Sequence, residues 1–443
     1  FPGGGGECPC ATYKDLYLRL RKWQIALKKQ LSRSSFPRQL ELLSRTLAES
    51  KGAQMEVPGQ YMHVKEPSPD HHVKVDRVLP DIEIVERCGA IHRRITLRGN
   101  DGKLYPFIIE ATGASIGTGD ERTLQLCQIM NRCMDKEKQA RRRHLSMHVR
   151  PIIGLAPRCR LICDDSKSSS LMTVIAGFLA GLGQTPDAVA INYHTKAQQL
   201  AARNAPDPLM SAMNEIADLI PDTVLLDHIR AEAATNDKLW SFRKHFATQY
   251  ACSILAAHSL QVPAASPDRL LISVKQGDVT LACATSSIGV DPSLSHMPGF
   301  VPFRMTRMLT TIISPIGLEG GFSAAIAAAA MALSNPTRQL KHHLYVLLRE
   351  HLHAQGPPKP PATTPQAHAE HNKQIVQRAT QFAGQVLERV SSLSPATSMA
   401  KAAEAGRGDE LPPPLNYKVI ELIRAAADTH QQMQMPPLWH PWA

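Results

Sequence analysis

A change of hydrophobic period near Val73 limits what this chain can fold into. Upstream, Leu16, Leu20, Trp23, Leu27 and Leu31 fall at i, i+4, i+7, i+11 and i+15, while Arg19, Arg21, Lys22, Lys28 and Lys29 lie largely elsewhere. That spacing predicts an amphipathic helix over residues 15–31. A second helix is predicted over 38–50, where Leu40, Leu43 and Leu47 repeat until Pro58-Gly59 stops regular structure. Downstream the pattern becomes short β-rich runs at 82–85, 91–97 and 104–109, the last two joined by Asn100-Asp101-Gly102, a strong hairpin signal. Helical spacing returns over 120–134, with Leu124, Cys127 and Met130 on one side, and residues 147–153 and 160–163 read as strands again. Helices then dominate from 171 to 260. A hairpin of 270–274 and 279–284 turns around Gln276-Gly277-Asp278, and more helix runs to His353. The order sheet, helix, sheet, helices describes an α+β chain in which a small antiparallel sheet precedes a larger helical unit.

With 443 residues, 43% of them hydrophobic, the chain can bury two or three packed units. It has no uninterrupted apolar run of about 18 residues, and the alanine-rich stretch 322–333 reads as too short and too weakly apolar to span a bilayer, so no membrane partner is expected. The start, Phe1-Pro2 followed by four glycines, shows no secretory signal, and the missing initiator Met points to a fragment of a longer protein. Nine scattered cysteines offer only Cys8-x-Cys10 and Cys159-x3-Cys163 as close pairs, neither with a matching second pair at zinc-ligand spacing, so reduced thiols and no metal are expected. Residues 356–369, and part of 391–414, are rich in Pro, Thr and Ala and read as insert or linker. A last helix over 417–427 carries Val419, Ile420, Leu422 and Ile423 toward the terminal Trp439-His440-Pro441-Trp442.

The net charge of +11 concentrates in residues 19–29 and 136–143, which read as solvated helix faces. An inositol phosphate or an acidic partner helix would use the same charge. Direct DNA contact is not expected, because the basic helix interleaves no aromatics beyond Tyr17 and Trp23. Gly113-x3-Gly117-x-Gly119 fits neither the dinucleotide nor the Walker spacing and reads as a flexible loop. Ser253 or Ser259 with His258 lacks a G-x-S-x-G elbow. The pairs His71-His72 and His342-His343 are adjacent and so do not face one metal from one helix side.

Several segments carry a resemblance to a known family. The run Val301-Pro302-Phe303-Arg304-Met305-Thr306 resembles the end of the activation loop in phosphatidylinositol-3-kinase-related kinases. Trp240-Ser241-Phe242-Arg243-Lys244, the stretch from Leu97 to Phe107, Phe1-Pro2 and Trp439 to Trp442 resemble one branch of it, the TRRAP-type transcription adaptors. The resemblance implies a bilobal protein-kinase-like (PI3K/PI4K-type) α+β fold, with a small antiparallel β-sheet N-lobe and a mainly helical C-lobe. Residues 1–74 would be the end of the FAT region and FRB-like helices, 75–165 the N-lobe, 166–355 the C-lobe, 356–410 an insert or linker with a helix, and 411–443 a FATC tail.

The resemblance also implies that the chemistry is missing. Active members keep a lysine on the third strand for the nucleotide phosphates, where this sequence offers Glu110 or Ile109 and no lysine; Lys103 lies at the turn and would face solvent. The catalytic loop corresponds to residues 261–268, with Pro263 or a neighbour at the base position and Asp268 nearest the metal-binding asparagine. Thr285-Ser286-Ser287 stands where Asp-Phe-Gly is expected, and the chain has no asparagine between Asp237 and Ser334. Phosphoryl transfer needs an Asp to orient the hydroxyl and Asp and Asn on the metals. The resemblance therefore implies a pseudokinase without cofactor or metal, a nuclear scaffold subunit of histone acetyltransferase complexes of SAGA and MYST type. Activators would be received by helical repeats outside this chain. Trp23, Val301, Pro302, Phe303, Arg304, Trp439 and Trp442 are its expected packing or interaction residues. The competing reading is an active serine/threonine or lipid kinase using Asp268, Asp278 and Asp291, with Asp278 expected at an exposed turn.

Overall fold

The computed structural model describes residues 37–52, 54–63, 68–87, 90–111, 119–261, 266–281, 301–355, 365–395, 416–433 and 442, together with helical residues scattered between 19 and 27. Of the predicted helix at 15–31, only those scattered residues are described, and Leu20, Trp23 and Leu27 are exposed there. The predicted helix at 38–50 is two short ones, α1 (Leu40–Leu43) and α2 (Arg45–Glu49). Ser44 separates them: its extended backbone (φ −153°) ends α1 while its hydroxyl accepts the Leu47 amide at 3.3 Å and starts α2. The break turns Leu43 and Leu47 outward, so only Leu40 of the expected stripe is buried.

The first lobe is a sheet of β1 (Val75–Val78), β2 (Glu83–Arg87), β3 (Ala90–Gly99), β4 (Leu104–Ala111), β5 (Ile152–Ala156) and β6 (Cys159–Cys163), in the order β1-β3-β4-β6-β5 with β2 also on β3. All its pairings are antiparallel. Strand alternation gives the sheet two different faces. Ile95, Leu97, Tyr105, Phe107, Ile109, Leu161 and Cys163 lie on one face, packed with Leu40, Val57, Val75, Val78 and Ile82. Arg94, Ile108, Glu110, Arg160 and Ile162 lie in register on the other, where α3 (Gly119–Asp135) begins. The buried stripe of α3 is Leu126, Met130, Cys133 and Met134 rather than Leu124 and Cys127, which are only partly covered.

After α3 and the short α4 (Lys138–Arg142), residues 147–151 are extended but join no strand; the ladder starts at Ile152. Side-chain amides take the place of a neighbouring strand. Asn131 exchanges hydrogen bonds with both the N–H (2.8 Å) and C=O (2.9 Å) of Met147, and the Gln249 carbonyl oxygen accepts the His148 amide at 2.8 Å.

The second lobe holds the three-stranded sheet β7 (Ser168–Ser170), β8 (Leu270–Ser273) and β9 (Val279–Leu281). Its helices are α5 (Leu171–Gly181), α6 (Pro186–Ala202), α7 (Pro208–Leu219), α8 (Val224–Glu232), α9 (Asn236–Leu260), α10 (Arg307–Ile313), α11 (Ser323–Ser334), α12 (Leu340–Gln355), α13 (Pro365–Ser392), α14 (Tyr417–Ala427) and α15 (Thr429–Met433). Rings of Phe242, Phe246, Tyr250 and Phe322 stack in a column through this core.

One expectation is corrected here. Helix α13, the helix expected within 356–410, begins at Pro365, inside the 356–369 stretch read as linker, and its stripe Ile375, Ala379, Phe382, Ala383, Val386 and Val390 lies in the main core. Composition at 356–369 masked the start of a helix whose regular i, i+4, i+7 pattern lies further along. By length and composition alone, the helical run Arg307–Ser334 is long and apolar enough to cross a membrane, whereas 322–333 taken in isolation is too short. The run is broken where Gly317 takes φ 87° and Gly320 leaves helical geometry, and its α11 part is a core helix. The whole is a bilobal α+β architecture.

Candidate functional site between the two lobes

The face of the first-lobe sheet that carries Glu110 meets α3 and the connector to the second lobe. Its charged side chains are organised in two networks. In the first, Arg160, directly opposite Glu110 in the ladder, donates through Nε to Glu110 and through Nη2 to Asp120 at the start of α3, both at 2.8 Å. Burial works against the Arg160 charge, but the two carboxylates outweigh it and raise the guanidinium pKa. These three side chains together carry a net charge of −1.

In the second network, Asp164 follows β6 with a side chain fully removed from solvent. Its Oδ1 accepts from Arg150 at 3.0 Å, and its Oδ2 from Arg94 at 2.9 Å and Arg87 at 3.2 Å. Arg94 also bonds Glu83, its cross-strand partner, and Arg87 donates to the Ser168 carbonyl of β7 at 3.1 Å. The next residue reaches the other way: Asp165 accepts the Ser273 hydroxyl of β8 at 2.7 Å and the Lys167 amide at 2.9 Å. Two consecutive acids thus tie the connector to opposite lobes.

A third contact joins His148, before β5, to the second lobe. Asp278 accepts from His245 of α9 at 2.8 Å and lies 3.7 Å from the His148 ring. The expected exposed turn aspartate is instead largely covered, because the β8–β9 turn folds its carboxylate back onto α9. The His245 bond holds its pKa below the ordinary 3.8, against burial and together with the charges of His148 and His245. A depressed carboxylate contributes stability that is complete above the unfolded value and is lost as pH falls through the folded one. Asp278→Asn is therefore expected to lower stability at pH 7, with the gap from wild type closing below about pH 4. Urea denaturation at pH 7 and pH 3 checks this; a gap that is equal at both would refute it.

Of the residues singled out by sequence, Pro263, Asp291, Thr285, Ser286, Ser287 and Trp439 lie outside the described residues. Asp268 sits, half-buried, in a 3-10 turn, Pro267–Arg269. Val301, Phe303 and Arg304 are buried and Pro302 is partly covered. Burial lowers the Arg304 pKa to about 10, while Tyr250 and the negative charge of Asp268 work in the opposite sense. Tyr250 donates its hydroxyl to the Arg304 carbonyl, and the Arg304 guanidinium donates to the carbonyl of Trp442, itself buried. Trp23, by contrast, is exposed. Among the described residues no group of three or more His, Cys, Asp or Glu side chains is arranged to hold a metal ion. Sequence reasoning missed Asp164 and Asp165; the adjacent pair of acids directly after a predicted strand was the available signal.

The family model for phosphatidylinositol 3- and 4-kinases matches residues 118–354, more than half of the chain. The chain is 25% identical over 444 residues to the human transformation/transcription domain-associated protein, covering 97% of this chain and 11% of that protein. It is 27% identical over 455 residues to the SAGA complex/NuA4 acetyltransferase complex subunit Tra1 of Schizosaccharomyces pombe, covering 97% of this chain and 12% of that protein. It thus spans about a ninth of these relatives' length. Among solved structures it resembles the open conformation of CtTel1, with a TM-score of 0.60 at 14% identity over 85% of this chain and 13% of that one. This structural likeness shows the fold, a bilobal kinase-like one.

Proposed function

We propose that this chain, which belongs to the phosphatidylinositol 3- and 4-kinase family, is a catalytically inactive, kinase-like scaffold within a larger nuclear subunit of a histone acetyltransferase coactivator complex. The observation that carries the reading is Glu110. The resemblance places a phosphate-binding lysine on this strand, and the side chain present is a carboxylate bound to Arg160. A triphosphate approaching this face meets a trio of net negative charge whose one cation is already engaged by two carboxylates. Asp278, the best acid for an active enzyme, is held by His245 and His148 where the β8–β9 turn folds back onto α9. The complex and its acetyltransferase character rest on similarity to proteins named as SAGA and NuA4 subunits. Within this reading, residues 1–74 close a FAT region and 411–443 form a FATC tail.

The test is calorimetric titration with Mg-ATP. No saturable heat is expected, and Asp268→Ala and Asp278→Ala should leave recovery of partner subunits unchanged on purification of the full-length protein. A roughly micromolar nucleotide affinity (about −8 kcal/mol), abolished by either substitution, would establish the active-kinase reading instead.

A further inference from the structure

We propose that a cavity between α3 and the start of α12 is a binding site for a compact phosphate-class anion, separate from the interlobe face. The cavity has a volume of about 310 Å³ and is lined by Ile129, Arg132, Cys133, Lys136, Thr337, Arg338, Gln339 and His343. That size is at the lower end of small-ligand pockets. Three of its eight lining residues are permanent cations, a fourth is a histidine, and no carboxylate lines it.

The imbalance differs from the rest of the fold. Arg87, Arg94, Arg150 and Arg160 each meet an internal carboxylate. Arg132, Lys136, Arg338 and His343 meet none among the described residues. Arg338 is the most informative of the four. Its Nη2 donates to the Lys136 carbonyl at 2.9 Å, which ties the guanidinium to the end of α3 beside the cavity. The turn that presents Arg338 is itself fixed: Asn335 accepts the Thr337 amide at 3.1 Å and its hydroxyl at 2.8 Å, and Gln339 is held at φ 53°. Gln339 and His343 bring the N-terminal end of the 16-residue α12 to the same cavity, adding the positive end of a helix dipole. The cations already act on the wall: Lys136 and Arg338 pull the Cys133 thiol toward ionisation, although burial keeps its pKa raised.

A phosphate group suits this arrangement because it offers several acceptor oxygens to donors converging from two elements. Its binding would cross-link α3 of the first lobe to α12 of the second. The phosphate could come from a free oligophosphate or from a phosphorylated side chain of a partner, and both present the same oxygens.

The experiment is calorimetric titration of the 443-residue chain with inorganic pyrophosphate and with a phosphoserine peptide. One saturable site is expected, weakened about tenfold or more by Arg338→Gln and also by Lys136→Gln. Lys136 is exposed, so its substitution does not put folding at risk. Arg45→Gln, which lies outside the cavity and pairs with Glu49, should leave binding unchanged. Tighter binding of pyrophosphate supports the site and assigns it to a free anion; tighter binding of the peptide supports it and assigns it to a partner chain. Absence of saturable binding to either probe would overturn the proposal. So would an affinity unchanged, within about twofold, in both cavity variants.

Discussion

Asp164→Ala is expected to lower the stability of this chain by about 3–5 kcal/mol, the range found when one partner of a buried ion pair is removed. The magnitude follows from what the substitution leaves behind. Arg87, Arg94 and Arg150 converge on one carboxylate that is wholly removed from water, and each guanidinium is itself mostly covered. Without Asp164, Arg94 retains Glu83 and Arg87 retains a backbone carbonyl, whereas the ion pair between Arg150 and Asp164 is lost. Three positive charges then face one another in a medium that screens them poorly. Asp164→Asn preserves shape but not charge and should lose most of the same stability. Asp165→Ala removes a hydroxyl bond and a backbone bond at the neighbouring position, and should cost only about 1–2 kcal/mol. Since a typical domain's margin is roughly 5–15 kcal/mol, Asp164→Ala also predicts earlier proteolysis at the connector. Urea denaturation of the three variants checks the order; an Asp164→Ala loss below about 1 kcal/mol, the level of an exposed pair, would show that the cluster is not a structural hub.

How far the sequence reveals this depends on the separation of the groups involved. The β3–β4 hairpin was readable because its signal is local: Asn100-Asp101-Gly102 fits a tight turn, Gly102 takes φ 77°, and the flanking runs alternate. The Asp164 cluster was not readable, because its arginines lie 77, 70 and 14 positions away and converge only once the sheet has formed. The extended segment before β5 failed as a strand prediction for a related reason. Its hydrogen-bond partners are Asn131 and Gln249 side chains, which no strand pattern encodes. Of helix α13 only the start was missed: a Pro- and Ala-rich composition at 356–369 was weighed above the helix expected within the insert. Period within a segment is thus more informative than composition across it, and neither reports charges brought together from afar.

Trp442→Ala is expected to cost about 3–5 kcal/mol, the usual loss for truncating a buried aromatic, although the residue lies next to the last position of the chain. It does so because the tail completes the core around Arg304. Helix α14 buries Val419, Ile423 and Ala426, a stripe shifted toward its C-terminal end from the one read in sequence, with Ile420 and Leu422 only partly covered. Gln432 of α15 then donates to the carbonyls of Met305 (2.9 Å) and Ala426 (2.6 Å), and Tyr193 donates to the Met433 sulfur at 3.7 Å. These bonds hold residues 301–305 between the tail and the aromatic column that ends at Tyr250 and Phe322. Arg304 is consequently stripped of water, and its pKa falls to about 10. A guanidinium in that position needs each carbonyl that faces it, including that of Trp442. Removing the indole opens a cavity and admits water beside the cation, so Trp442→Ala should loosen the 301–305 segment as well as the tail. Trp442→Phe, which refills much of the space, should recover about half of the loss. Limited proteolysis and thermal unfolding of the two variants provide the check. Protease resistance equal to wild type, with an unchanged midpoint for Trp442→Ala, would mean that the second lobe is complete without its terminal tryptophan.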